Sequence, residues 1–166
     1  VYIENRYMIN RTVVAVLRIL LIGALAATII LQVIGLPWLS GVMAQDYPAE
    51  AYMRWPILVL AILGLGCVEV GIICTLRLIS FTLRDEVFSR RALRWVDGII
   101  GAFLAGALVC LATIVYQSFT VGGPPGWMLV LLSGVLGGIG LALLMVVMRS
   151  LLLQATSLRT ELATVI

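Results

Sequence analysis

Four long apolar runs, separated by short polar stretches, make up most of this chain; they are residues 19–36, 57–76, 98–115 and 127–148. Each run is long enough to cross the hydrocarbon core of a bilayer, about 30 Å thick, because a spanning helix needs roughly 20 residues. The β-branched residues lie within runs that are too long for strands. The sequence therefore predicts an all-α membrane protein with four transmembrane helices in an up-down bundle.

The composition leaves room for a single membrane domain, residues 1–166. Of the 166 residues, 63% are hydrophobic and 11% are charged, whereas soluble domains are about 25% charged. With their flanking residues, the spans are expected at residues 12–36, 57–80, 90–117 and 127–153. An amphipathic helical extension is expected at residues 150–166, where apolar residues recur at spacings of three and four.

The arginines are concentrated on one side of the predicted spans. The loop at residues 37–56 contains only Arg54, and the loop at residues 117–126 contains none. By the positive-inside rule, both termini and the middle loop face the cytoplasm. The arginines on that side, outside the runs, are Arg6, Arg11, Arg84, Arg90, Arg91, Arg94 and Arg159. Every basic residue is arginine, and Ala, Gly, Val and Leu are abundant, a composition that suggests a GC-rich bacterial gene. The sequence therefore predicts a multi-pass protein of the bacterial cytoplasmic (inner) membrane.

Each of the four runs has one charged residue next to its predicted cytoplasmic end. These residues are Arg18, Arg77, Asp97 and Arg149. If they share one depth, every span is about 18–22 residues long, which fits the bilayer. Asp97 has a short side chain and is expected to pair with one of the three arginines. This charged belt is interpreted as a structural ring that fixes the depth of the helices, or as a cytoplasmic vestibule or lipid head-group site.

Glu69 is the one acidic or basic residue deep in the apolar region. It lies eight residues from Arg77, and therefore about 12 Å away along the helix axis. A charged carboxylate at the bilayer centre costs at least about 2.5–3.5 kcal/mol. Glu69 is therefore expected to face the bundle interior, protonated or strongly hydrogen-bonded. It either ties two helices together or couples protons to transport.

Two segments on the cytoplasmic side are candidate partner-binding surfaces. Arg90, Arg91 and Arg94 begin the third helix, where they meet anionic lipid or dock an acidic partner. Leu158 and Leu162 lie on the apolar face of the C-terminal extension. This face is expected to pack on the membrane, on the helix that begins in the middle loop at Arg90, or on a second copy of the chain. Nucleic acid is not an expected partner, because the basic cluster is small and lies directly beside the membrane.

Small residues at four-residue spacing form stripes on the spans, and close helix packing in lipid depends on such residues. The stripes predict contacts between neighbouring helices of the bundle; alternatively, the stripe on the fourth span docks a partner or a second copy. They comprise Gly23 and Ala27; Cys67, Gly71 and Thr75; Gly98, Ala102 and Gly106; and Ser133, Gly134, Gly137, Gly138 and Gly140.

No combination of residues points to catalysis. The chain has no histidine, which removes a common general base, most zinc ligand sets and the usual axial ligands of haem. The three cysteines, Cys67, Cys74 and Cys110, lie in apolar runs and are expected to act as small hydrophobic residues. We therefore expect no catalytic residue, no cofactor and no metal ion, and we do not expect an enzyme.

The middle loop and the tail contain distinctive segments: Glu86-Val87-Phe88-Ser89, then Ala92-Leu93-Arg94, and finally Leu158-Arg159-Thr160-Glu161-Leu162. With the four-span layout, these segments resemble the DUF2975 family of small bacterial membrane proteins. Members of that family are often encoded beside small helix-turn-helix regulators, so the resemblance implies a role in regulation or signalling. It implies no catalytic residues.

These features favour a non-enzymatic accessory or regulatory membrane protein that acts through protein contacts. Its expected partners are membrane lipids and another membrane protein or a second copy of the chain. The first alternative is a small transporter or channel, oligomeric because four helices enclose only a narrow interior, with Glu69 lining the path. A further alternative is a sensor of a lipid or small ligand held between helices.

Overall fold

The computed structural model describes the backbone of residues 2–46, 48–82, 90–120 and 125–164, and most side chains from residue 12 to residue 154. All regular structure in these residues is helical, which confirms the predicted all-α class. The α-helices are α1 (Tyr2–Ile30), α2 (Leu36–Asp46), α3 (Arg54–Thr82), α4 (Arg90–Thr120) and α5 (Pro125–Thr164).

Four segments of the described chain are long and apolar enough to cross a membrane, as the sequence predicts. They are Thr12–Asp46, Ala51–Ser80, Leu93–Thr120 and Gly126–Gln154. The last helix, α5, is continuous over 40 residues, and at 1.5 Å per residue it is about 60 Å long. Because this is twice the thickness of the hydrocarbon core, part of α5 extends beyond the apolar layer.

The first span continues past Leu36, where the sequence analysis places its end. A π-helical turn, Leu31–Gly35, joins α1 directly to α2, and the Leu36 amide donates a hydrogen bond to the Leu31 carbonyl. Pro37 has no amide hydrogen and its ring clashes with the carbonyl four residues earlier, so a regular α-helix cannot pass through it. The widened turn accommodates the proline without ending the helix. A 3-10 helix, Pro48–Met53, then leads into α3.

The transmembrane helices pack in chain order. Within the described residues, extensive contacts join α1 to α3, α3 to α4, and α4 to α5. Each pair is antiparallel, because residue numbers rise along one helix as they fall along its neighbour. Between α3 and α4, Gly64 faces Val109 and Cys74 faces Gly98. Between α4 and α5, Cys110 faces Gly134 and Asp97 pairs with Arg149. Between the first span and α3, Gln32 contacts Ile62, and Arg18 shares a cavity with Arg77. The predicted up-down connectivity is therefore confirmed.

The four spans form an open row, because α3 presents nearly opposite sides to its two neighbours. Ile62 and Ile73 lie on the side next to α1, whereas Cys67 and Gly71 lie on the side next to α4. At 3.6 residues per turn, these two sets are separated by nearly half a turn. The contacts therefore place α1 at one end of the row and α5 at the other.

Buried side chains are concentrated on α4, which has a packed neighbour on two sides. Among the described residues, those buried are Met53, Leu58, Cys74, Val96, Ile99, Ala107, Thr113, Gln117 and Ala142. None of them belongs to α1 or α2, so the first span is the least enclosed part of the described fold.

Large apolar side chains cover the outside of the row. Ile19, Leu108 and Leu129 each expose about two-thirds of their surface or more. Soluble monomers rarely expose contiguous apolar patches larger than a few hundred Å², whereas lipid solvates such a surface. Trp55 and Trp127 are also exposed, near the first residues of α3 and α5, where an interfacial aromatic belt is expected. Trp38 is exposed on α2.

Candidate functional site

The charged belt, Arg18, Arg77, Asp97 and Arg149, links the successive helices of the row at one end. Arg18 of α1 and Arg77 of α3 line the same cavity. Arg77 also lies over the ring of Trp95 on α4, with 5.9 Å from its guanidinium carbon to the ring centroid. Asp97 of α4 pairs with Arg149 of α5. The four residues predicted to share one depth therefore form a connected series.

The ion pair between Asp97 and Arg149 is close but incompletely aligned. Arg149 Nε lies 2.6 Å from Asp97 Oδ1, yet its N–H does not point along this contact. The aligned hydrogen bond is longer, from Nη2 to Oδ2 at 3.4 Å. Both side chains are more than one-third exposed, so the pair contributes about 0.2–1 kcal/mol, as exposed pairs do.

Arg18 and Arg77 have no such acidic partner in the part of the chain that the structure describes. Among the described residues, the one ion pair involves Asp97 and Arg149. The cavity that the two arginines share lies between α1 and α3 and has a volume of about 200 Å³. Its other walls are Ile22, Ile73, Leu76 and Ser80. The belt thus contains one neutralised pair and two cations beside an apolar cavity.

The predicted partner-binding residues are only partly described. Arg94 is exposed on the first turns of α4. The structure does not describe the side chains of four of these residues, Arg90, Arg91, Leu158 and Leu162. Their backbones are helical, which places the three arginines at the start of α4 and the two leucines near the end of α5.

Glu69 is half-buried on α3, on the side that faces α1. It lies seven residues after Ile62 and four before Ile73, and both of these residues adjoin α1. Its Oε1 atom is enclosed and has no hydrogen-bond partner in the described structure. An interhelical tie through this atom is therefore not formed. A buried carboxyl oxygen without a donor retains an unmet electrostatic cost.

Thr75 of α3 and Thr113 of α4 do not extend a polar path from Glu69. Thr75 Oγ1 donates to the Gly71 carbonyl at 2.8 Å, and Thr113 Oγ1 donates to the Val109 carbonyl at 2.8 Å. Each hydroxyl hydrogen is therefore used within its own helix.

Gln32 is a polar contact residue that the sequence analysis did not single out. Its Nε2 donates to the Ile62 carbonyl at 2.9 Å, across the seam between α1 and α3. Gln117 is a second such amide: it is buried, and its Oε1 has no partner in the described structure. Both residues could have been identified from the sequence, because each has an uncharged amide within or beside an apolar run. A desolvated amide needs a hydrogen-bond partner.

Small residues let neighbouring helices approach closely, as predicted. A Cβ atom added at Gly98 would lie 2.9 Å from Cys74 Sγ, and one at Gly134 would lie 3.0 Å from Cys110 Sγ. Glycine in a helix interior costs about 1 kcal/mol relative to alanine, which the close packing offsets. All three cysteines are unpaired thiols, and Cys74 and Cys110 each pack against a glycine.

The small residues of the fourth span divide into two faces. Gly134 and Gly138 contact α4. Gly137 and Gly140 have no atom within 4 Å of an added Cβ, and Ser133 is exposed. On α1, Gly23 is equally open, and Ala27 is exposed. One stripe of α5 therefore packs against α4, and the other has no neighbour in the described part of the chain.

The fold and the belt define a multi-pass α-helical membrane protein with four spans. A model of the family described as "Protein of unknown function (DUF2975)" matches residues 38–166. The chain therefore belongs to the DUF2975 family, as its middle loop and tail suggested. The match begins within α2, so α1 and Arg18 precede it. No curated protein and no solved structure matches the chain.

Proposed function

We propose that this protein is a non-enzymatic accessory or regulatory component of the bacterial inner membrane, which acts by packing against another membrane protein. The observation that carries the proposal is the open face of α5, formed by Ser133, Gly137 and Gly140. In lipid, where there is no hydrophobic drive between helices, small residues provide the close approach on which helix association depends. Gly138 illustrates this close approach, because its backbone lies directly against Ala107 of α4.

The loosely packed first span supports the same function. None of the described residues of α1 and α2 is buried, so this segment can contact a second protein on most of its circumference. A regulatory subunit needs surface of this kind, because its interface must form within the bilayer.

The proposed orientation places both termini and the charged belt in the cytoplasm. The distribution of arginines supports it, because the positive-inside rule counts basic residues in short loops. About 15 residues of α5 follow Arg149 and remain helical to Thr164. In this orientation they extend about 22 Å toward the cytoplasm, within reach of a partner's cytoplasmic segment.

Affinity capture in mild detergent tests this function. A membrane protein captured with the wild-type chain should be lost from Gly137→Leu, because the added side chain occupies the open face. Leu136→Phe is the matched control, since Leu136 is exposed by 65% and lies beside that face. Capture that is unchanged by Gly137→Leu, or a wild-type chain that is always alone and monomeric, would reject the proposal.

A small oligomeric transporter or channel is the second candidate function. The observation that favours it is Glu69, whose enclosed Oε1 has no hydrogen-bond partner in the described structure. A carboxyl group at this depth is costly, and such groups mark proton or ion pathways in many membrane proteins.

A further inference from the structure

The cavity between α1 and α3 has a polar end and an apolar end. Arg18, Arg77 and Ser80 lie toward the end of the row that contains the belt, whereas Ile22 and Ile73 lie about one helical turn deeper in their helices. Its volume of about 200 Å³ is several times the share of one water molecule in the liquid, about 30 Å³. The cavity can therefore accommodate a phosphate group with the first part of an apolar chain.

Among the described residues, no acidic side chain pairs with either of the guanidinium groups beside this cavity. Asp97, the acidic residue of the belt, is already paired with Arg149. Trp95 offers Arg77 only its ring face, which is electron-rich but carries no net charge. Both arginines are exposed, so an anion from the head-group layer can reach the two charges and offset the repulsion between them.

We propose that this cavity binds the phosphate group of an anionic phospholipid, with Arg18 and Arg77 as the two donors. Arginine is suited to this task, because its planar fork gives paired, charge-assisted hydrogen bonds to phosphate oxygens. Ser80 does not supply a donor, since its hydroxyl donates to the Leu76 carbonyl at 3.0 Å. Recognition therefore rests on charge and on the arginine geometry.

The apolar walls distinguish a lipid from free phosphate. Inorganic phosphate has the same head-group chemistry but would leave Ile22 and Ile73 without contact. A lipid places its first methylene groups against them, and its chain continues along the exposed apolar surface of α1, where Ile19 is 71% exposed. Basic pockets between transmembrane helices bind anionic head groups for the same reason.

Bound lipid would bridge α1 and α3, the pair that includes the least enclosed helix. The hydrogen bond from Gln32 to the Ile62 carbonyl lies near the opposite end of this helix pair. The site thus completes the packing of the first span. This inference is independent of the proposed protein partner.

Native mass spectrometry of the full chain in dodecyl maltoside tests the site, with added phosphatidylglycerol, phosphatidylcholine or inorganic phosphate. We expect phosphatidylglycerol adducts that the double variant Arg18→Gln/Arg77→Gln reduces by about tenfold or more, because two charge-assisted contacts are lost. Arg54→Gln removes one positive charge at the other end of α3 and should leave the adducts unchanged.

Three results would overturn the proposal. One is an equal loss of adducts in Arg54→Gln, which would indicate diffuse attraction by positive charge rather than a specific site. Another is equal retention of phosphatidylcholine and phosphatidylglycerol. The third comes from thermal unfolding in the same detergent. An increase in the unfolding midpoint with inorganic phosphate as large as that with phosphatidylglycerol would assign the site to free phosphate. If the double variant does not fold, Ile73→Trp fills the cavity with both arginines present; it should abolish the adducts, and unchanged adducts would reject the site.

Discussion

Gly138 on α5 lies against Ala107 on α4 so closely that an added Cβ would be 3.0 Å from the Ala107 Cβ and 3.1 Å from the Phe103 carbonyl oxygen. The preceding residue, Gly137, has no atom within 4 Å of such a Cβ. Two consecutive glycines therefore have different roles: Gly138 belongs to the packing of the chain, and Gly137 belongs to its open face.

Valine at each of these positions should separate the two roles. Gly138→Val forces the backbones of α4 and α5 apart and should destabilise the protein by about 1–3 kcal/mol, as overpacking does. Gly137→Val should leave the free energy of unfolding nearly unchanged. Thermal unfolding in detergent measures both; equal midpoints for the two variants would contradict the contact between α4 and α5.

Removing the amide of Gln32 should loosen the first span. Gln32→Met keeps the shape but loses the hydrogen bond to the Ile62 carbonyl, and hydrogen bonds between transmembrane helices contribute about 0.6 kcal/mol on average. Val33→Met is the control, because Val33 is 67% exposed. Hydrogen exchange of α1 amides should be faster in Gln32→Met only; an equal effect in both variants would place Gln32 outside the seam.

The pair between Asp97 and Arg149 should contribute little to stability. A double-mutant cycle with Asp97→Asn and Arg149→Gln should give a coupling energy of about 0.2–1 kcal/mol, because both groups are partly exposed. The measurement is chemical unfolding of the four proteins in the same detergent. A coupling energy several times larger would show that the pair is buried in the membrane-embedded protein.

The transport candidate makes a separate prediction for Glu69. If its carboxyl group relays protons, Glu69→Gln should abolish proton flux in proteoliposomes while the fold is preserved, because an amide cannot release a proton. A pH-sensitive dye inside the vesicles reports the flux. Absence of flux in the wild-type chain, or the same flux in the variant, would reject transport and leave the partner function.

Much of the fold could be predicted from the sequence because lipid sets the length of each span. Runs such as residues 57–76 and 98–115 locate their helices, and the charged residues at the ends of the runs indicate a common depth. The continuation of the first helix through Pro37 could not be predicted in this way. A proline normally ends a helix, and only the π-helical turn at Leu31–Gly35 shows how this helix continues.

The candidate sites were less predictable, because they depend on which helices are neighbours. Two stripes on the fourth span have the same four-residue spacing, and only the contact with Ala107 separates Gly138 from Gly137. Likewise, the sequence offered Asp97 three arginines of similar depth. The open row assigns Arg149 to Asp97 and leaves the other two beside a cavity.

The most direct measurement of the central claim is the labelling of single introduced cysteines with a membrane-impermeant maleimide in intact cells. Gln45→Cys, exposed at the outer end of α2, should be labelled from outside, whereas Ser157→Cys, on α5 beyond the belt, should be labelled only after permeabilisation. The unmodified chain, whose three thiols lie within the spans, gives the background. Labelling of both positions from the same side would contradict the four-span architecture, and the reverse pattern would contradict the cytoplasmic position of the belt.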